Sequence, residues 1–225
     1  MHPISCTQRM EVHLTAYCCD MKFLLKDILF YVTIKMDNMS KRVMKVILAS
    51  ASPRRRQLLG EIFDSFEVMP QDVEENCDLK RGHAVCQRLA QIKLGNLPQV
   101  FPNALIISAD TVVYMGGRIY GKPKDESEAK CFLDELSSKW HYVYTGVAVY
   151  FDGKVHTFYD KSRVKFKTLG EDDKRKYIGT GSPMDKAGGY GVQDRQVVEK
   201  YEGSYTNIVG LPMEKLKEYI SKIIN

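Results

Sequence analysis

From Lys45 onward the apolar and polar positions follow two periods, one near two residues and one near 3.6, and each predicts its own kind of element. The run VILA (46–49) is continuously apolar and predicts a short buried strand. SPRRRQLL (52–59) opens a helix: Ser52 can cap it, Pro53 suits its first turn, and Leu58 and Leu59 supply an inward face. FEVMP (66–70) predicts a second strand, and residues 80–94 set Val85, Leu89 and Ile92 at helical spacing despite Gly82. ALIISA (104–109) predicts a central strand that ends at Asp110, with TVVYM continuing to a turn at Gly116 and Gly117 and on into RIYG. An acidic start predicts a helix over 125–136. YVYTGVAVYF (142–151) and VHTFYDKSRVKF (155–166) then meet through Asp152-Gly153, a strong hairpin signal. The tail adds a helix near 171–179, a glycine-rich loop at 187–191, a short strand around 206–209 and a closing helix over 213–223. The sum is an α/β (α+β) fold, a mixed sheet flanked by helices and containing a long antiparallel hairpin.

Composition narrows the class without changing that picture. The chain has 225 residues, 44% apolar and 27% charged, a balance that excludes disordered and fibrous proteins. A net charge of +5 suits an anionic ligand, yet Lys and Arg are interspersed with Asp and Glu, unlike the basic stripe of a nucleic-acid binder. Cys6, Cys18, Cys19, Cys77, Cys86 and Cys131 form no C-x-x-C pair, so they read as free thiols of a reducing, cytoplasmic compartment rather than a zinc site. The most apolar run, FLLKDILFYVTI (23–34), contains Lys26 and Asp27 and falls short of the roughly 20 residues of a membrane span. It also lacks the features of a secretory signal. Residues 1–44 carry none of the candidate chemistry, and Met39 and Met44 could each start the chain. They read as an N-terminal extension, disordered or a gene-model artefact, ahead of one domain at 45–225.

Four places could carry chemistry. Ser50-Ala51-Ser52-Pro53-Arg54-Arg55 combines hydroxyls, free backbone N–H groups and guanidiniums at a strand-to-helix junction, which suits phosphate. A capped surface helix with solvated arginines has the same pattern. Asp110, where the apolar strand ends, could hold a divalent cation or take a proton from water, or simply bond to a turn. Lys93 and Lys122 could neutralise phosphate oxygens, and Glu74 and Glu75 could add metal-binding oxygens; each is also an ordinary surface charge. The segment 184–193, MDKAGGYGVQ, allows close approach to a ligand and ends on Gln193, an amide able to read a base edge. It is not a dinucleotide fingerprint. His83, His141 and His156 stand apart from any nucleophile motif.

In order along the chain, LASASPRR (48–55), SADTVV (108–113), GKP (121–123), YTGVAV (144–149), PMDKAGGYGVQ (183–193) and GSYTNIVGLP (203–212) resemble the Maf family of nucleoside triphosphate pyrophosphatases. The resemblance spans about 45–224 and implies a fold like that of the inosine triphosphatases, with two lobes, a deep cleft and a homodimer. It implies that Asp110 is the catalytic acid, as proton acceptor or metal holder, with Glu75 its acidic partner and Lys93 and Lys122 facing phosphate. Ser50, Ser52 and Arg55 would complete a phosphate loop. Arg54, Thr111 and Gln193 match the trio of the dTTP/UTP branch, with Gln193 and Thr111 at the uracil or thymine edge. Gln57, Ser182 and Val192 depart from the family pattern, and none of them removes a proposed catalytic group.

The expected reaction is hydrolysis of dTTP, UTP or modified uridine triphosphates to the monophosphate and pyrophosphate, with Mg²⁺ or Mn²⁺ bridging Asp110, Glu75 and phosphate. The competing readings are a non-catalytic nucleotide-binding regulator of cell division and a 7-methyl-GTP pyrophosphatase. The expected partner is the small nucleotide, with no nucleic acid and no membrane.

Overall fold

A computed structural model of the protein describes residues 44–224; the expectations for the extension, save Met44, lie outside the described residues. Seven strands form one mixed sheet: β1 (Val46–Leu48), β2 (Glu67–Val68), β3 (Leu105–Met115), β4 (Arg118–Tyr120), β5 (Trp140–Phe151), β6 (Lys154–Phe166) and β7 (Val198–Glu202). Their order is β2-β1-β3-β5-β6-β7, with β4 beside β3. β1 runs parallel to β2 and β3, and every other pairing is antiparallel. The helices are α1 (Pro53–Leu59), α2 (Gly82–Ile92), α3 (Leu97–Val100), α4 (Glu126–Leu136), α5 (Glu171–Ile178), α6 (Tyr205–Val209) and α7 (Met213–Ile224).

The Asp152-Gly153 hairpin forms as expected, with both residues at positive φ and β5 paired to β6 along its whole length. Ser52 accepts from the Arg55 N–H and starts α1 where its predicted cap stands, and Asp125 accepts from the Glu128 N–H as the cap of the acidic-started α4. Strand alternation divides the packing. Ile106 and Ala148 meet Ala90 of α2, Leu94 of the turn after it and Leu97 of α3 on one side, while Val113, Val143 and Phe166 meet Phe132, Leu133 and Tyr177 of α4 and α5 in a second cluster.

Several elements differ from the expectation, the short helix α3 among them, which no periodicity predicted. The segment 205–209 is helix α6 instead of a strand: the Ser204 hydroxyl accepts from the Asn207 N–H and starts a turn that its β-branched residues do not advertise. β7 is an additional strand, and β2 is reduced to two exposed residues. Among the described residues no helix is long and apolar enough to cross a membrane.

Candidate active site

β3 does not end at Asp110; the residue stands near the middle of an eleven-residue strand. What ends there is the parallel part of the sheet. On one edge of β3, β1 pairs only as far as Ile107, and β4 begins only at Val113. Residues 108–112 are therefore left without a strand on that edge, while β5 pairs continuously along the other. Ligands of α/β sheets collect beyond the carboxyl ends of parallel strands, and this gap supplies such a place without interrupting β3. A cleft of about 680 Å³ opens there, a size typical of small-ligand sites. Ser50, Ser52, Arg54, Arg55, Glu75, Lys93, Asp110, Thr111, Lys122 and Gln193 line it, whereas Glu74, the other acidic candidate, does not.

On the α2 side, the Lys93 ammonium lies between two carboxylates, 2.6 Å from Asp110 Oδ1 and 3.1 Å from Glu75 Oε1. The Asp110 side chain is 11% exposed and Glu75 49%, so the inner pair is much the less screened by solvent. Lys93 reaches Asp110 because α2 lies unusually close to the sheet. Gly146, opposite Asp110 in register, would with a Cβ come within 2.3 Å of the Cys86 backbone. The Ser108 hydroxyl, donating to the Ala90 carbonyl at 2.6 Å, pins the same helix.

Arg55 stands with Thr111, whose side chain alternates to the opposite face of β3 from Asp110. Its Nε donates to the Gly210 carbonyl at 2.8 Å, Nη1 to the Ser50 hydroxyl at 3.2 Å and Nη2 to the Thr111 hydroxyl at 3.2 Å. Burial lowers the pKa of this guanidinium; Asp110 opposes the shift and Arg54 adds to it. Arg54 itself pairs with Asp185 at 3.1 Å, and Lys186 holds the other oxygen of that carboxylate at 2.6 Å.

Lys122 is exposed at the rim, and its turn is tied to the glycine-rich loop by a bond from the Gly188 N–H to the Gly121 carbonyl. The loop forms two 3₁₀ turns, Ser182–Asp185 and Ala187–Gly189. Asp194 fixes the backbone on either side of these turns by accepting from the Tyr177 hydroxyl, the Ser182 hydroxyl and the Gly191 N–H. Ser182, one of the departures from the family pattern, is thus fully used. The Gln193 amide lies so close over Gly191 that a Cβ there would fall 2.7 Å from its nitrogen. Beneath the loop, the Tyr190 hydroxyl meets His141 Nε2 at 2.7 Å, and burial lowers the His141 pKa to about 4.

Sequence reasoning assigned no role to Asp185, Gly146, Thr145, Asn207 or Asp194. Four of the five lie inside quoted motifs and Asp194 directly follows one, but partners such as Arg54 and Asp185, 131 positions apart, leave no trace in local spacing.

The chain is similar to the dTTP/UTP pyrophosphatase of Thermosipho africanus, at 43% identity over 77% of this chain and 90% of that one. It is similar to the dTTP/UTP pyrophosphatase of Aquifex aeolicus at 41% identity, over 80% and 96% of the two chains. The Pyrococcus abyssi protein of the same name is also 41% identical, over 78% and 94%. The profile described as Maf-like protein matches residues 45–223, and the chain belongs to that family.

Proposed function

We propose that this cleft hydrolyses dTTP and UTP to the monophosphate and pyrophosphate, and that residues 45–225 carry the whole activity. The observation that supports it most is the Asp110–Lys93–Glu75 cluster, set in a cleft that also presents Arg54, Arg55 and Lys122. The names of the similar proteins supply the substrate class.

Among the described residues no three His, Cys, Asp or Glu side chains gather to hold a metal. Two carboxylates are what a site for Mg²⁺ or Mn²⁺ needs when phosphate oxygens and water complete the coordination, so Asp110 and Glu75 fit such an ion. Once bound it would neutralise charge on the phosphates. Asp110 Oδ1 is engaged by Lys93, which leaves Oδ2 to accept the proton of a water aligned on the α-phosphorus. Lys93, Arg55 and Lys122 bind phosphate oxygens and stabilise the departing pyrophosphate. Gln193 faces the base, where an amide matches both a ring N–H and a carbonyl.

The experiment is pyrophosphate release from dTTP, UTP, CTP and 7-methyl-GTP, by the full chain and by a chain starting at Met44. Asp110→Asn is expected to lower kcat at least about 100-fold, and EDTA to abolish turnover until Mg²⁺ or Mn²⁺ is restored. UTP binding without pyrophosphate release would favour the regulator instead, and faster release from 7-methyl-GTP would change the base. We read the working form as a cytoplasmic homodimer acting on free nucleotides. Exposed Tyr142 and Tyr159 on the hairpin offer an apolar surface for a second copy, and light scattering of the purified chain tests this.

A further inference from the structure

We propose that Asp185 is a positioning residue for base selection: with Lys186 and Ser182 it forms a bridge that holds the Arg54 guanidinium at a fixed place relative to Gln193, so that the two side chains read a pyrimidine together. This rests on the nucleotide reading above.

Two consecutive arginines part company at the start of α1. Arg55 turns toward Ser50, Thr111 and Gly210, whereas Arg54 Nη1 donates to Asp185 Oδ2 at 3.1 Å, across 131 positions of chain. Asp185 Oδ1 accepts from Lys186 Nζ at 2.6 Å. An ammonium has three protons to give, and the other two of Lys186 go to the carbonyl and the hydroxyl of Ser182. Lys186 is therefore an internal counter-ion with no proton left for a phosphate. The Ser182 hydroxyl gives its own proton to Asp194, whose carboxylate also holds the Gly191 N–H, shortly before Gln193. Arg54 and the segment that carries Gln193 are thus tied to opposite ends of one short network.

Charge alternates along this network, from Asp194 through Lys186 and Asp185 to Arg54, the arrangement in which exposed ion pairs gain most from one another. Burial pushes the Asp185 pKa up, but the bonds from Lys186 and Arg54 outweigh it and leave the carboxyl below its ordinary value. Arg54, Asp185, Lys186 and Gln193 all line the cleft. Among the described residues Asp185 is the one hydrogen-bond partner of the Arg54 side chain, so the rest of the guanidinium fork is free to donate. Uracil and thymine present a carbonyl where cytosine presents an amino group. A guanidinium, which only donates, matches the first and not the second.

The test sets calorimetric binding of UTP, CTP and inorganic tripolyphosphate in EDTA beside kcat/KM for UTP and CTP with Mg²⁺. Asp185→Asn is expected to narrow the preference for UTP over CTP about fivefold, the scale of an exposed ion pair, through KM rather than kcat. Tripolyphosphate binding should hold or tighten, because a negative charge leaves the cleft; a merely structural lesion would weaken it. Asp185→Glu should restore the preference, and in an Arg54→Ala background Asp185→Asn should narrow it no further. Lys186→Met removes the anchor and should act in the same direction, which repeats the test if Asp185→Asn disturbs folding. A wild-type chain without the preference, variants that keep it, or tripolyphosphate binding weakened in step with UTP overturns the proposal. If the wild-type chain releases no pyrophosphate, the functional reading fails while the calorimetric arm still tests the bridge.

Discussion

Gly146→Ala should damage catalysis by moving the helix that ends on Lys93. A Cβ at residue 146 would stand 2.3 Å from the Cys86 carbonyl carbon and 2.4 Å from the Gln87 nitrogen. Carbon atoms in contact sit roughly 3.5 Å apart, so α2 must withdraw by roughly 1.2 Å. Lys93 lies at the C-terminal end of that helix and bonds Asp110 at 2.6 Å; the same withdrawal opens the pair to about 3.8 Å, past hydrogen-bond reach. Overpacking of this kind costs about 1–3 kcal/mol, which lowers Tm by about 2–12 °C for a chain of this size. Misplacing a reacting group by about 1 Å costs about 100-fold in rate. Pyrophosphate release from UTP, measured well below the melting temperature, should therefore show a loss far larger than the stability change implies. If kcat/KM stays within about threefold of wild type while Tm falls, close approach of helix and sheet does not set the Lys93 geometry.

Two further outcomes are expected elsewhere. His141 has a folded pKa of about 4, depressed by burial from an ordinary 6.5, so between those pH values the unfolded chain binds a proton that the folded chain refuses. Stability is full above pH 6.5 and falls as pH drops toward 4, by roughly 3 kcal/mol in all; urea melts should show this slope, and His141→Gln should flatten it. Asp194→Ala frees Gly191, Ser182 and Tyr177 at once and should loosen the loop that carries Gln193. KM for UTP should then rise about tenfold with tripolyphosphate affinity unaltered, and an equal loss of both would show that the loop serves phosphate instead.

The parts of the fold legible in sequence are those whose signals are local. Asp152-Gly153 announces the hairpin, and Ser52 and Asp125 announce their helices. The segment 205–209 misled because Ile208 and Val209 favour strands as isolated residues, whereas the Ser204 cap and the buried hydrogen bonds of Asn207 favour a helical turn in place. β7 stayed hidden because four of its five residues are exposed and show no alternation. In the site, Asp110, Lys93 and Glu75 were recognisable through motif and resemblance. The role of Gly146 was not, because its meaning lies in how close a helix from another part of the chain approaches.

The alternation along β3 gives each face of one strand its own chemical assignment. Asp110 answers to Lys93 on one side, and Thr111 answers to Arg55 on the other. A slip of one residue would exchange them, putting a hydroxyl beside the lysine and a carboxylate beside the buried arginine. Nine consecutive partners on β5, itself clamped by β6, prevent that slip. The long hairpin is thus what keeps acid chemistry and phosphate orientation on separate addresses.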